Sequence, residues 1–155
     1  MIARLCVLGI AIVMCITALN TNTVNTPPTV IASDTNRSND MQLLARAVNG
    51  EARGEKYEGQ VAVAAVILNR VRHPSFPNSI AGVIYQPRAF TAVADGQINA
   101  PIAEDSTVYK ACQDAMNGWD PSGGAIYYYN PEKATSQWIF SREVIRVIGK
   151  HRFAI

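Results

Sequence analysis

Leu43-Leu44-Ala45-Arg46-Ala47-Val48-Asn49-Gly50-Glu51-Ala52-Arg53-Gly54-Glu55-Lys56-Tyr57-Glu58-Gly59-Gln60-Val61-Ala62-Val63-Ala64-Ala65-Val66-Ile67-Leu68-Asn69-Arg70 reads as two apolar, Ala-rich helical patterns around a short polar knot. Leu43, Leu44, Ala47 and Val48 recur at helical spacing, and Glu51 falls on their stripe, three residues after Val48 and four after Ala47. A carboxylate is thus expected on the inward face, in the last turn before Gly54. Burial and the negative end of the helix would both raise its pKa, from about 4.3 toward about 6 to 7, where a Glu holds a proton at neutral pH. The alternative is a solvated helix-end residue paired with Arg53 or Lys56. Arg53, if turned back onto the carboxylate, would oppose the rise.

Outward from this stretch, the second helix is expected from about Tyr57 or Glu58 to Val71, stopping before Pro74. It is apolar on so many sides that it belongs at the centre of the core. The first helix is expected from Met41 to about Ala52, with Asp40 as its cap. Asn20 to Asn39 is rich in Asn, Thr, Ser and Pro and reads as a flexible tether. Before it, Arg4 and the 15-residue apolar run Leu5 to Leu19 read as a signal peptide or, alternatively, an uncleaved anchor. The expected organisation is therefore leader 1–19, linker 20–39 and one domain over 40–155 of an exported protein.

C-terminal to the core helices, Ser79 or Asn78 can cap a short helix over Ile80 to Tyr85. Ala89 to Pro101 reads as a long irregular segment of the kind kept for a site. A further helix is expected from about Glu104 to Asn117, closed by Gly118. Ala125 to Tyr129 alternates like a strand, and Val144–Ile148, Gly149-Lys150 and His151–Ile155 read as a β-hairpin. Helices first and strands last give an α+β domain: a helical cluster with a small C-terminal antiparallel sheet.

Cys6 and Cys15 lie in the leader, so the mature domain would keep Cys112 alone and no internal disulfide. Cys112 sits in a helical apolar pattern and reads as a small buried hydrophobe. The net charge of +2 falls to +1 without Arg4 (14 − 1 − 12), too near neutral for a nucleic-acid binder. A zinc site needs three protein ligands, and His73 and His151 with one helical Cys do not make one. No metal or other cofactor is expected.

The ordered series Leu43-Leu44-Ala45-Arg46, Gly50-Glu51-Ala52-Arg53-Gly54-Glu55 and Glu58 to Val71 resembles the SleB/CwlJ-type cell wall hydrolases, the spore cortex-lytic enzymes. The likeness continues through Phe76-Pro77, Val83-Ile84-Tyr85-Gln86, Phe90-Thr91, Tyr129-Asn130-Pro131, Trp138 and Ile148-Gly149-Lys150-His151-Arg152-Phe153. It implies a lysozyme-like or lytic-transglycosylase-like α+β fold, action on peptidoglycan glycan strands, and Glu51 as the catalytic acid. A single such Glu can serve as acid and then base. Hydrolysis instead needs a second carboxylate, about 5 Å away when retaining and about 6.5 to 9.5 Å when inverting, for which Glu55, Glu58 and Asp95 are candidates. Glu55 could equally act as a like-charge neighbour that raises the pKa of Glu51.

Sugar binding needs amides and aromatic faces in a groove. Gln86, Phe90, Thr91, Asp95, Gln97, Tyr127, Tyr129, Asn130 and Trp138 have the chemistry, although Tyr127 and Tyr129 share a strand face that suits the core equally. His151 is expected to be a structural hydrogen-bonding residue. The partner is peptidoglycan, and the domain is expected to act as a monomer. Two rivals are a wall amidase and a non-catalytic peptidoglycan-binding module.

Overall fold

A computed structural model describes residues 29–155, with side chains from 34. The leader and the first part of the tether, 1–28, lie outside the described residues. Helix α1 (Thr29–Ala52) leads directly into α2 (Tyr57–Arg72), and three short helical pieces follow: α3 (Ile80–Ile84), α4 (Thr91–Ala94) and a 3₁₀ turn (Gln97–Asn99). After α5 (Thr107–Met116) come β1 (Tyr127–Tyr129), α6 (Gln137–Phe140), β2 (Val144–Ile148) and β3 (His151–Ala154).

The all-round apolar sequence of α2 has the expected outcome. It is buried from Gly59 to Leu68, and it packs against α1, α3 and α5. Leu44, Val48, Val61, Val63, Val66, Ile67, Val83, Ile84 and Phe153 have no accessible surface and form the centre of the core. Cys112 is buried on α5, and burial pushes its thiol up to about 12, so it is inert at neutral pH.

The sheet has the order β1-β3-β2 and is antiparallel throughout, with Tyr127 opposite Ala154, Tyr129 opposite Arg152, and Ile148 opposite His151 across the hairpin. The last strand is central because β1 and β2 each pair with it. This is the α+β cluster with a small C-terminal antiparallel sheet that the sequence predicts.

Several local expectations are corrected. Helix α1 begins at Thr29 and not at Met41, so Asp40 is not its cap and residues 29–39 of the expected tether are helical. No Pro or Gly stands between Pro28 and Gly50, so nothing stops a helix that is anchored in the core from running outward past exposed residues 34–39. Helix α5 starts later than Glu104, because Ser106 caps it by accepting from the Tyr109 N–H. The segment 89–101 is not irregular throughout, since it holds α4 and the 3₁₀ turn. The single-turn α6 escapes a reading by periodicity because four residues are too few to show one.

Candidate active site

The site begins with a close approach. A Cβ on Gly50 would overlap the Cβ of Ala92, so only glycine lets α4 come up to the end of α1. That approach brings the Ala92 N–H to Glu51, where it donates to Oε1 at 3.1 Å. Glu51 is half-buried in the last turn of α1. The Arg53 alternative is settled by geometry: its Nη1 donates to Gln97 Oε1 at 2.8 Å.

Tyr128 faces Glu51 from β1. Burial pushes its phenol well above the ordinary tyrosine range, and the charge and hydrogen bonding of the neighbouring Glu51 carboxylate add to the rise, while Arg70 opposes it. The phenol is therefore neutral at neutral pH beside the carboxylate.

Glu55 points elsewhere. Its Oε2 accepts from the Lys150 N–H at 3.2 Å, and its Oε1 lies 3.6 Å from His151 Nδ1, so it holds the β2–β3 turn against the end of α1. Gly149, with φ 57°, permits this: a Cβ there would overlap Glu55 Oε2. The His151 imidazole is buried and stacks edge-on against Tyr128, their centroids 5.4 Å apart. Its Nδ1 has no hydrogen-bond partner, which corrects the expectation of a hydrogen-bonding histidine. Burial lowers its pKa, with Lys133 adding to the fall and Glu55 and Glu51 opposing it. It is neutral at neutral pH.

These groups line a cleft of about 570 Å³ between the end of α1 and the sheet. Of the residues singled out in the sequence, Glu51, Glu55, Thr91, Tyr129, Asn130 and His151 line it. Gln86, Tyr127 and Trp138 line an adjoining cavity of about 500 Å³, to which Tyr129 also contributes. Trp138 is half-exposed and meets Tyr127 edge-on at 5.1 Å.

Phe90 and Asp95 are corrections. Phe90 is 3% exposed and packs in the core, so it has no face to offer a sugar. Asp95 lines neither cavity; its carboxylate accepts from the Gln97 N–H at 3.0 Å and Nε2 at 2.6 Å, closing its own turn. Gln97, held by Arg53 and Asp95, is likewise outside both. Residues that the sequence reading did not assign to a site are Tyr128, Arg70, Lys133 and Lys150, and the Ala92 N–H. A signal existed for Tyr128: in three consecutive strand tyrosines, the middle one must face opposite to its neighbours.

Residues 54–154 match the family model for cell wall hydrolases. A spore cortex-lytic enzyme from Bacillus cereus is 64% identical over 115 residues, covering 74% of this chain and 44% of the relative. The chain thus spans less than half the length of this curated relative. Among solved structures, the catalytic domain of the Bacillus cereus SleB protein aligns with a TM-score of 0.72 and 63% identity, over 76% of this chain and 91% of that one. The catalytic domain of the germination-specific lytic transglycosylase SleB from Bacillus anthracis aligns with a TM-score of 0.72 and 62% identity, over 76% and 94%.

Proposed function

The chain belongs to the SleB/CwlJ-type cell wall hydrolases, and on that premise we propose that it cleaves peptidoglycan glycan strands with Glu51 as general acid and then base, in spore cortex lysis or wall remodelling. The observation that carries this reading is the contrast between two neighbouring carboxylates. Both line the cleft, but Glu51 has one oxygen fixed by a backbone N–H and the other outside any backbone contact, whereas both oxygens of Glu55 are engaged by the β2–β3 hairpin.

The chemistry follows from one proton. Protonated Glu51 gives it to the glycosidic oxygen as the C1–O bond breaks, leaving an oxocarbenium-like sugar and a neutral leaving alcohol. The resulting carboxylate then takes the proton from the same sugar's 6-hydroxyl, whose oxygen bonds to C1 and closes a 1,6-anhydro ring. Glu51 ends as it began, protonated. Hydrolysis would need a second carboxylate to serve as nucleophile or to activate water, and Glu55, committed to the hairpin, is poorly placed to do either. The Bacillus anthracis relative described as a lytic transglycosylase supports the anhydro product here. The Ala92 N–H and Tyr128 orient the acid, and the aromatic wall of the adjoining cavity offers faces for sugar rings.

Mass spectrometry of digested peptidoglycan tests this directly. Glycan fragments ending in anhydro sugars, one water lighter than reducing ends, are expected. Released stem peptides with uncut strands would overturn the reading in favour of an amidase, and reducing ends alone would overturn the single-carboxylate mechanism.

A further inference from the structure

Arg70 is an anomaly on α2. It is 8% exposed, its Nε donates to the Ile126 carbonyl at 2.7 Å, and its guanidinium lies 5.3 to 5.8 Å from the ring centroids of Phe76, Phe90 and Tyr127. Among the described residues no carboxylate lies within ion-pair distance of it. A buried guanidinium without a counter-charge is costly, and burial alone lowers its pKa. Arg70 lines both the cleft that holds Glu51 and the adjoining cavity of about 500 Å³.

The adjoining cavity has a one-sided charge. Arg70, Arg88 and Lys133 line it, and no Asp or Glu does. Exposed Arg88 is held there by a left-handed backbone (φ 64°), a conformation that a non-glycine residue adopts at a cost. Tyr127, Trp138 and Gln86 add aromatic and amide groups to the wall.

From this arrangement we propose that the adjoining cavity is a subsite for a carboxylate carried on the glycan strand, with Arg70 as its buried counter-charge and Arg88 and Lys133 at its rim. The proposal rests on the glycan-cleaving reading for the identity of the strand. A sugar backbone is neutral, so the anion comes from its substituents: the carboxylates of a peptide stem or a free lactyl carboxylate. Either would pair with the guanidinium fork while the sugar ring lies against the aromatic wall. Seated there, the substituent fixes the register of the strand relative to Glu51.

Binding tests this without requiring cleavage. The Glu51→Gln protein is titrated with soluble tetrasaccharide fragments of three kinds: carrying stems, stripped of stems with the lactyl carboxylate free, and carrying stems with all carboxyls amidated. The amidated fragment is expected to bind about ten-fold or more weakly than one of the charged fragments, and the charged fragment that binds tighter identifies the source. Removing Arg70 also removes the Ile126 contact, so the rim carries the mutational arm: Arg88→Gln and Lys133→Gln should each lower the preference for charge about three-fold, and added salt should lower it further. Equal binding of charged and amidated fragments, no binding of any fragment, or an unchanged preference in both rim variants overturns the subsite. Failure of the unaltered protein to cut any strand would instead overturn the function proposed above, and the two failures are read separately.

Discussion

Eleven of the sixteen residues of α2 are buried, whereas β2, across the cleft, has no buried residue and leaves Val144 and Val147 exposed. The helical half positions Glu51 by dense packing around α1 and α2. The sheet half supplies the opposite wall through Tyr128 and Tyr129 of β1 and His151 of β3, and through a hairpin held by a single carboxylate from the helical side. The difference teaches where each kind of residue is kept. The proposed acid sits at the end of a helix anchored in the densely packed half, and the proposed substrate-facing groups ride on a thinner element whose position depends on fewer contacts.

The largest effect on stability is expected where the two halves join. Phe153 has no accessible surface, and Phe153→Ala should cost about 3 to 5 kcal/mol in denaturant unfolding. A cost near that of a surface substitution would mean that the sheet is not fastened through β3. Gly149→Ala should cost about 1 to 3 kcal/mol, because the new Cβ meets Glu55 and the backbone is left-handed, and kcat/KM should fall as the turn moves away from the cleft. Unchanged kinetics in a destabilised variant would separate the hairpin from the site.

A smaller effect comes from His151. Its pKa is lower in the fold than the ordinary 6.5, so the unfolded chain binds more protons. Its contribution to stability is complete above about pH 6.5 and is lost as pH falls from there toward the folded value; Glu55 and Glu51 limit the loss and Lys133 enlarges it. Unfolding measured across that window should show a decline that His151→Asn flattens. Val147 is 68% exposed on β2, and Val147→Thr should change stability by less than about 0.5 kcal/mol. A larger loss would show that β2 is covered in solution.

Much of this was legible in the chain because it is encoded locally. The Val-Ala run of α2 announces a central helix, and the Glu51 stripe announces a carboxylate in the last turn of α1. What depends on distant residues was not. The commitment of Glu55 to a turn 95 residues later cannot be read from its neighbours, and it is what distinguishes the two carboxylates of the cleft. Phe90 and Asp95 have the chemistry of sugar-binding residues, but tertiary packing took one into the core and a local turn took the other. Residues 29–39 are polar enough to pass for a tether, yet no helix breaker separates them from the anchored part of α1. Arg70 is visible in the sequence as a charge on an apolar helix, but the cavity it lines is not.

The central claim concerns Glu51 alone, and Glu51→Gln is its most direct test, assayed for strand cleavage alongside thermal unfolding. The account predicts an unchanged melting temperature and a loss of cleavage of about 10² to 10⁴-fold or more. A folded Glu51→Gln protein that cuts glycan strands as fast as the parent would contradict it.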